Sequence, residues 1–369
     1  MNYTNGISRY QAVTYSSPAR TFFMVEKEAL IFLKKKGIRV SFCSWLGVAL
    51  LFVFTCARPA IALAQHVFII SIDGGKPAAI SHSDMPVLQR LAAEGACTWS
   101  AQTVYPSITL PSHTSMLTGL APEKHHILWN TWKPKAGVVQ VPTIFAEARG
   151  HGYSTAMFVG KEKFRHLLQP GTVEEFDFDS AQASEVLTSV VGQPTPTKSD
   201  TVPAKIVARH AASYIQREQP ALCFIHFTDT DDAGHRYGWG SAQQLRAFAD
   251  VDSALGEVLE AIEHAGIVKE SVLIITADHG GHGKTHGSKI PEDMNIPWIT
   301  WGRNVKQNYT ISEPVTTYDT AATALWLLDI PCPPSYDGKP VTSAFSQPLN
   351  IAAPKPSPAA SHAVTTGGF

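Results

Sequence analysis

Carboxylates, imidazoles and one hydroxyl follow the ends of apolar runs in this sequence. These residues are Asp73, Thr109, Asp231, His235, Asp278 and His279. Carboxylates and imidazoles that come from several strand ends can converge on divalent metal ions, and a hydroxyl among them can act as a nucleophile. The pattern therefore predicts a two-metal phosphoryl-transfer enzyme.

The spacing within two of these clusters favours metal binding over an ordinary structural role. A single Asp at a strand end is usually a helix cap or a turn residue. In residues 278–281, however, an acid and an imidazole are adjacent and two glycines follow, so side chains and backbone could crowd round one ion. Asp231 and His235 are four residues apart, which is the spacing of a chelate on one turn of a helix.

Strand and helix patterns alternate along the chain. Residues 66–73 form a continuous apolar run that suits a strand buried on both faces, and similar runs occupy 155–159, 221–227, 272–276 and 297–301. Helical patterns occupy 85–94, 204–217 and 242–264. This succession predicts an α/β fold with a mostly parallel central sheet and helices on both faces. Ligands of such sheets bind at the carboxyl ends of the strands, where Asp73, Asp231 and Asp278 are expected.

Composition limits the class of protein. The 369 residues are 44% hydrophobic and 17% charged, which is globular and enough for a large core. With a formal net charge of -1, the bulk composition does not indicate binding to nucleic acid or to an anionic membrane through a basic surface. The sequence has no Gly-rich nucleotide loop and no long repeat, which argues against kinases, dehydrogenases and solenoids.

The two ends of the chain differ from the middle. Residues 1–64 are expected to be an N-terminal extension and signal peptide, because three lysines at 34–36 precede the apolar stretch 40–54 and Ala62 and Ala64 suit cleavage before Gln65. The alternatives are an uncleaved membrane anchor, a true start at Met24, and lipidation at Cys56, whose surroundings make a poor lipobox. Residues 65–350 would form the catalytic domain, and 351–369 a disordered tail. A periplasmic or secreted protein is expected.

Four sequence motifs, in order, resemble those of the alkaline phosphatase superfamily. They are residues 71–74, 105–113 with its continuation to Asn130, 231–238, and 276–280. Within the superfamily they resemble the type I phosphodiesterases, or nucleotide pyrophosphatase/phosphodiesterases. The resemblance implies an alkaline-phosphatase-like three-layer sandwich.

The resemblance also implies a role for each motif residue. Thr109 would be the nucleophile that forms a phospho-enzyme intermediate. One Zn²⁺ would be held by Asp73, Thr109, Asp278 and His279. A second Zn²⁺ would be held by Asp231, His235 and one further histidine, and other divalent cations would suit the same ligands. A threonine hydroxyl is a poor nucleophile at neutral pH, and a bound cation favours its more reactive alkoxide form.

The third ligand of the second site departs from the named branch, where this histidine lies far downstream. Here His282 and His286 follow closely on the fourth motif. His286 resembles the metal histidine of the phosphoethanolamine transferases of the same superfamily and is preferred. His282 would then be a supporting or substrate-facing group.

Several residues near Thr109 bear on the substrate. Asn130 matches the family residue that donates its amide to a phosphate oxygen, and a neutral donor suits a diester. Lys161 and Lys284 are interpreted as solvated surface lysines, although either could contact a substrate anion. Two further groups have packing interpretations: His113 and His125 as supports of the nucleophile segment, and Tyr105, Trp129 and Trp132 as ring packing, or else as a pocket for a leaving group.

The sequence thus predicts an exported, zinc-dependent phosphodiesterase or nucleotide pyrophosphatase that acts on a small phosphodiester or nucleotide. Membrane contact is expected only if the N-terminal segment stays uncleaved. The alternatives are a phosphomonoesterase, a phosphonate hydrolase or a phosphoethanolamine transferase with the same metals, and a non-catalytic binding protein. A sulfatase is disfavoured, because no Cys/Ser-x-Pro-x-Arg motif is present around Pro111.

Overall fold

An eight-stranded sheet lies at the centre of the computed structural model, which describes residues 62–178 and 201–346. The strands of the described residues, in chain order, are β1 (His66–Ile72), β2 (Ala96–Gln102), β3 (Thr155–Val159), β4 (Glu175–Asp177), β5 (Leu222–Phe227), β6 (Ser271–Thr276), β7 (Asn295–Gly302) and β8 (Tyr309–Thr310). Their order across the sheet is β4-β3-β5-β1-β6-β7-β2-β8. All neighbours pair in parallel except β7, which is antiparallel to both β6 and β2.

Helices cover both faces of this sheet. Those of the described residues, in chain order, are α1 (Pro77–Ile80), α2 (Pro86–Glu94), α3 (Thr109–Thr118), α4 (Pro122–His125), α5 (Ile144–Gly150), α6 (Ala204–Glu218), α7 (Asp229–Tyr237), α8 (Ala242–His264), α9 (Pro291–Met294) and α10 (Asp319–Leu327). Local signals set several ends: proline occupies the first turn of α2, and the Ser241 hydroxyl accepts the N–H of Gln244 at the start of α8.

The core consists of two apolar layers, one on each side of the sheet. Along β1, Val67 and Ile69 face the layer that includes α3, α5 and α10, whereas Phe68 and Ile70 face the layer that includes α2, α6 and α8. Side chains alternate between faces along a strand, so an apolar run is stable only when both faces are covered. The predicted three-layer α/β sandwich with a mostly parallel sheet is confirmed.

The strands that the apolar runs predict are present, with bounds that differ by at most two residues. Strands β2, β4 and β8 were not predicted. Two of them have three residues or fewer, and β2 has a mixed polar sequence whose Trp99 and Ser100 are exposed. Short or edge strands bury few side chains and so leave no apolar run.

The predicted leader and tail fall almost wholly outside the described residues. At the start of the described part, Leu63 and Ala64 are buried, and the N–H of Ala64 donates to Leu327 O at 3.0 Å. The predicted cleavage before Gln65 would therefore remove two residues that contact the core. Within residues 62–178 and 201–346, no helix has both the length and the apolar character needed to cross a bilayer.

Candidate metal centre

Three buried acids stand at the carboxyl ends of three adjacent strands. Asp73 directly follows β1, Asp231 lies in the first turn of α7 just after β5, and Asp278 lies two residues after β6. Strand β1 pairs with β5 on one side and β6 on the other, and Ser71 of β1 is in register with the ends of both. The tertiary structure therefore brings the three predicted acids to one edge of the sheet.

Lys161 joins two of these acids. Its Nζ donates to Asp73 Oδ2 at 2.7 Å and to Asp231 Oδ2 at 2.6 Å, and the side chain is buried. His226 Nε2 donates to the same oxygen of Asp73 at 2.9 Å, while its Nδ1 accepts the N–H of Gly160. In both acids the protein thus holds Oδ2 and leaves Oδ1 for another partner.

Asp278 is held in the same one-sided way. Its Oδ1 accepts the backbone N–H groups of Gly74 and His279, at 3.1 and 3.0 Å. Its Oδ2 lies 3.2 Å from His279 Nε2 without forming a hydrogen bond. Bonds from the backbone fix the carboxylate in one orientation, as a supporting shell does for a metal ligand.

Five buried atoms of the predicted ligands have no hydrogen-bond partner among the described residues. They are Asp73 Oδ1, Thr109 Oγ1, Asp231 Oδ1, Asp278 Oδ2 and His279 Nε2. Leaving a buried polar atom unpaired costs about 1–3 kcal/mol, and more when it is charged. The unpaired atoms of Asp73, Asp231, Asp278 and His279 lie close together, and divalent cations bind oxygen and nitrogen atoms of this kind, so the set fits the predicted metals.

The tautomer of His279 suits a ligand. Its Nδ1 lies 2.8 Å from Gly280 O, and a carbonyl oxygen can only accept, so Nδ1 carries the proton. Nε2 then presents its lone pair 3.4 Å from Asp73 Oδ1. Burial, with the neighbouring His286, lowers the pKa of His279 to about 3, so the ring is neutral at physiological pH.

His235 and His286 form a second group with Asp231. Their Nδ1 atoms lie 3.0 Å from Lys284 O and 2.9 Å from Ser107 O, so both Nδ1 atoms are donors and both Nε2 atoms are bare. The two Nε2 atoms are nevertheless 3.1 Å apart. Two nitrogen lone pairs at this distance repel unless a cation or a proton lies between them, and nitrogen ligands of one tetrahedral zinc are roughly 3.3 Å apart.

The two groups adjoin. Asp231 Oδ1 is 3.4 Å from His235 Nε2 and 3.7 Å from His286 Nε2, and Asp231 also clusters with Asp73 and His279. The rings of His279 and His286 stack with their centroids 3.6 Å apart. The predicted acids and imidazoles therefore form one continuous cluster.

The pKa values of the three acids shift in different directions, because Lys161 bonds Asp73 and Asp231 but not Asp278. Burial alone would raise the pKa of Asp73, but Lys161 and the bond from His226 hold it well below its ordinary value. The pKa of Asp231 is also lowered by Lys161, against burial and the charge of Asp73. Burial and the two neighbouring acids raise the pKa of Asp278 well above the ordinary value. The three acids of the cluster therefore exceed the positive charge of Lys161, which is the charge balance of a site that binds metal cations.

Thr109 is the first residue of α3, and its side chain is buried. The helix dipole favours negative charge at this end, whether an alkoxide or a phosphoryl oxygen. Ser112 Oγ donates to Asp278 O at 2.7 Å, and His113 Nδ1 donates to Thr109 O at 2.8 Å while its Nε2 bonds Ser71 Oγ. These bonds tie the start of α3 to the acid cluster.

Asn130 lies beside the residue that follows Thr109. Its Oδ1 accepts the Leu110 N–H at 2.9 Å and the Lys163 Nζ at 3.1 Å. Because both neighbours are donors, the atom between them must be the amide oxygen. The amide nitrogen is left to donate elsewhere, as the predicted role in binding a phosphate oxygen requires. Burial lowers the pKa of Lys163 to about 8.

His282, the alternative third ligand, has a different partner. Its Nδ1 bonds Asp293 Oδ1 at 2.7 Å, while Asp293 Oδ2 accepts the N–H of Ser288. His282 thus anchors α9 to the loop that carries His286. The candidate ligand group contains Asp231, His235 and His286.

Close packing requires the two glycines after His279. A Cβ atom on Gly280 would lie 2.1 Å from Glu292 O, and one on Gly281 would lie 2.2 Å from the indole of Trp239. Any side chain at these positions would push the loop away from α9 or from Trp239.

The aromatic residues do not form one cluster. Trp129 Nε1 donates to His166 Nε2 at 3.3 Å, and the ring of Trp132 lies 4.5 Å from the His166 ring. Tyr105 is half exposed and contacts Lys289, whose Nζ is 4.7 Å from the ring centroid. His166 therefore fixes the loop next to Asn130, and the rings of Trp129 and Trp132 pack on it.

Sequence reasoning missed three site residues. The interpretation of Lys161 as a surface lysine is wrong, because its ammonium is buried between two acids. The sequence pattern also gives no prominence to Lys163, or to His226 within an apolar strand. Two signals were available: Lys161 and Lys163 follow the carboxyl end of β3, and a histidine inside a buried strand needs a polar partner. Lys284 is exposed, as expected.

Comparison with known proteins gives consistent matches. The family model described as type I phosphodiesterase / nucleotide pyrophosphatase matches residues 67–292. Mouse ectonucleotide pyrophosphatase/phosphodiesterase family member 1 is 24% identical over 254 residues, which is 64% of this chain and 26% of that protein. The bis(5'-adenosyl)-triphosphatase of Xenopus laevis is 22% identical over 259 residues, or 63% of this chain and 51% of that protein.

A solved structure has the same fold. Murine ectonucleotide pyrophosphatase/phosphodiesterase 5, as an inactive variant in complex with AMP, aligns with a TM-score of 0.62 at 14% identity, over 76% of this chain and 100% of the other. This likeness confirms the predicted alkaline-phosphatase-like fold. The chain spans about a quarter to about half the length of the two curated relatives named above.

Proposed function

Because the chain belongs to the type I phosphodiesterase / nucleotide pyrophosphatase family, we propose that it is a metal-dependent hydrolase of phosphodiester or pyrophosphate bonds with Thr109 as its nucleophile. The observation that carries this proposal is the set of five buried oxygen and nitrogen atoms on the predicted ligands, the Thr109 hydroxyl among them, that have no hydrogen-bond partner in the described part of the chain. A non-catalytic binding protein has no physical need for such a set, because unpaired buried groups are costly.

The ligands would be shared between two divalent cations, with zinc as the proposed metal. Asp73, Thr109, Asp278 and His279 would hold one, and Asp231, His235 and His286 the other. Imidazole nitrogens and carboxylate oxygens are the ligand types that zinc takes in catalytic sites. The bound cations would supply a Lewis acid that favours the alkoxide of Thr109 and offsets charge on the leaving oxygen.

Side chains and backbone of this chain would position the phosphoryl group and accept it during transfer. The Thr109 hydroxyl gives its proton to solvent and Oγ1 attacks phosphorus, so that the Oγ1–P bond forms while the bond from phosphorus to the leaving oxygen breaks, and the leaving oxygen takes a proton from water. A second water then attacks phosphorus: its oxygen bonds to phosphorus, the Oγ1–P bond breaks, Oγ1 takes back a proton and the other proton of that water goes to solvent. The N-terminus of α3 and the Asn130 amide would stabilise the negative phosphoryl oxygens during both steps.

A small nucleotide or another phosphodiester is the proposed substrate. Two relatives are named for nucleotide pyrophosphatase or bis(5'-adenosyl)-triphosphatase activity, and a third was solved with AMP. In this chain the loop of Trp129 and Trp132, held by His166, lies next to Asn130 and offers ring surface to a leaving group.

Export is also proposed, from the leader pattern of residues 34–64. Cleavage before Gln65 would remove Leu63 and Ala64, which are buried, so the position of the mature N-terminus tests this proposal directly. Mass spectrometry of the protein recovered from the periplasm or medium should show a chain that begins near Gln65. Recovery of the protein with the whole leader, in the membrane fraction, would favour the uncleaved anchor instead.

The decisive experiment compares Thr109→Ala with the exposed control Thr310→Ala. Thr109→Ala should abolish hydrolysis of bis(4-nitrophenyl) phosphate and retain most of its metal, whereas the control should match the unaltered protein. Full activity of Thr109→Ala would eliminate the nucleophile assignment. Metal-loaded, folded wild-type protein that turns over no phosphate ester would eliminate the proposed activity in favour of a binding protein.

A further inference from the structure

Lys163 places a positive charge beside the expected position of the transferred phosphoryl group. Its Nζ lies 3.1 Å from Asn130 Oδ1, and that oxygen also accepts the N–H of Leu110, the residue after Thr109. We propose that Lys163 is a specificity-determining residue whose ammonium binds a non-bridging phosphoryl oxygen and extends the reaction to phosphomonoesters. This inference rests on the proposed function for the identity of the reacting centre.

Unlike Lys161, Lys163 bonds a neutral group, and Asp73, Asp231 and Asp278 attract its charge only from a distance. The ammonium of Lys161 is paired with Asp73 and Asp231. The hydrogen bond that Lys163 makes is to a neutral amide, and no carboxylate among the described residues lies within ion-pair distance of its Nζ. An ammonium has three donor hydrogens, so two remain for a ligand. A partly buried cation without an acid partner is a natural contact for an anion.

The backbone that carries Lys163 is held firmly. It belongs to a short 3-10 turn, Glu162–Leu167, directly after β3. The next residue, Phe164, is fully buried, and its ring lies 4.8 Å from the ring of His113, which bonds Thr109 O. The turn is thus packed against the segment that carries the nucleophile, so the position of the ammonium relative to Thr109 is defined by the core.

The two donors at this position suit different substrates. The amide of Asn130 is neutral and adds no charge preference. The ammonium of Lys163 favours the phosphoryl group with more negative charge, and a monoester carries about -1.5 to -2 near pH 7, against a single charge on a diester. Charge-assisted hydrogen bonds are about twice as strong as neutral ones. Lys163 should therefore contribute more to a monoester than to a diester.

The test compares Lys163→Met, Lys163→Arg and the control Lys269→Met in metal-loaded protein. Methionine removes the charge at similar length, and arginine keeps it. Lys269 is exposed and lies just before β6, at the end of the sheet opposite the metal cluster. Two readouts are measured: kcat/KM for 4-nitrophenyl phosphate and bis(4-nitrophenyl) phosphate, and the shift in melting temperature with inorganic phosphate and with dimethyl phosphate.

Lys163→Met should lower kcat/KM for the monoester by about tenfold or more relative to the diester, and should lose most of the stabilisation by inorganic phosphate but not that by dimethyl phosphate. Lys163→Arg and Lys269→Met should keep the wild-type ratio. An equal loss on both esters would show that Lys163 only anchors Asn130, and no loss would show that it does not touch the substrate; either result overturns the proposal. If wild-type protein hydrolyses neither ester, the proposed function fails, and the phosphate-binding comparison still decides the role of Lys163.

Discussion

The Nε2 atoms of His235 and His286 lie 3.1 Å apart although the Nδ1 atom of each ring donates to a backbone carbonyl. This arrangement leaves two lone pairs directed at the same small volume, next to Asp231 Oδ1. It is stable when a cation is shared between them. The pair therefore favours His286, the histidine already preferred from the sequence, over His282 as the proposed third ligand.

Replacement of these two candidate histidines should separate metal binding from loop support. We expect His286→Ala to lose about one of two metal ions per chain and nearly all activity, because one cation loses a ligand. His282→Ala should keep its metal and lose only stability, since it removes the bond to Asp293. Metal content by atomic emission decides the question; the reverse pattern would make His282 the ligand.

Lys161 should matter most to the metal-free protein. Without cations, Lys161→Met leaves Asp73 and Asp231 buried with no shared ammonium, and loss of one partner of a buried ion pair costs about 3–5 kcal/mol. Bound cations would neutralise the same acids, so the loss should be smaller in metal-loaded protein. Denaturant unfolding with and without a chelator measures both. Equal losses in the two states would contradict this account, and Lys269→Met should change neither.

Asn130→Asp should remove the amide donor and place a negative charge beside the phosphoryl group, so both changes act against turnover. Aspartate has the same shape and can still accept from Leu110 N and Lys163 Nζ, but it has no N–H to give to a phosphoryl oxygen. Removal of such a donor costs about 10²- to 10³-fold in turnover. We expect this fall in kcat for the diester with little change in melting temperature. Unchanged kcat would mean that the amide does not contact the substrate.

His125 should make stability depend on pH. Its Nδ1 accepts the N–H of Ile127 and its Nε2 bonds Ser115 Oγ, and burial lowers its pKa to about 4. Since the unfolded state binds a proton near pH 6.5 and the folded state only near pH 4, this contribution is complete above pH 6.5 and is lost as pH falls towards 4. It amounts to roughly 3 kcal/mol.

The substitution His125→Asn tests this dependence, because the asparagine oxygen can still accept from Ile127 N. The variant should be less stable at pH 7 and should lose less stability between pH 6.5 and 4 than the unaltered protein. The exposed His151 provides the control His151→Asn, whose pH profile should match wild type. A His125→Asn profile parallel to wild type would remove His125 as the source.

Much of the fold could be predicted because its signals are local. Continuous apolar runs such as β1 reflect burial on both faces, and Pro86 marks the start of α2. The antiparallel direction of β7 could not be predicted, because the run at 297–301 looks like any buried strand. Strand direction depends on the path of the loop before it, which periodicity does not record.

The sequence by itself determined which residue types stand at the strand ends, and hence the candidate acids, imidazoles and nucleophile. Only the tertiary structure decided how those groups face one another: which oxygen of each acid is free, which nitrogen of each imidazole carries the proton, and that Lys161 and Lys163 belong to the site. The physical reason is that these properties depend on partners tens to hundreds of residues away, such as Asp73 and Lys161, and contacts over such separations leave no periodic trace in the chain.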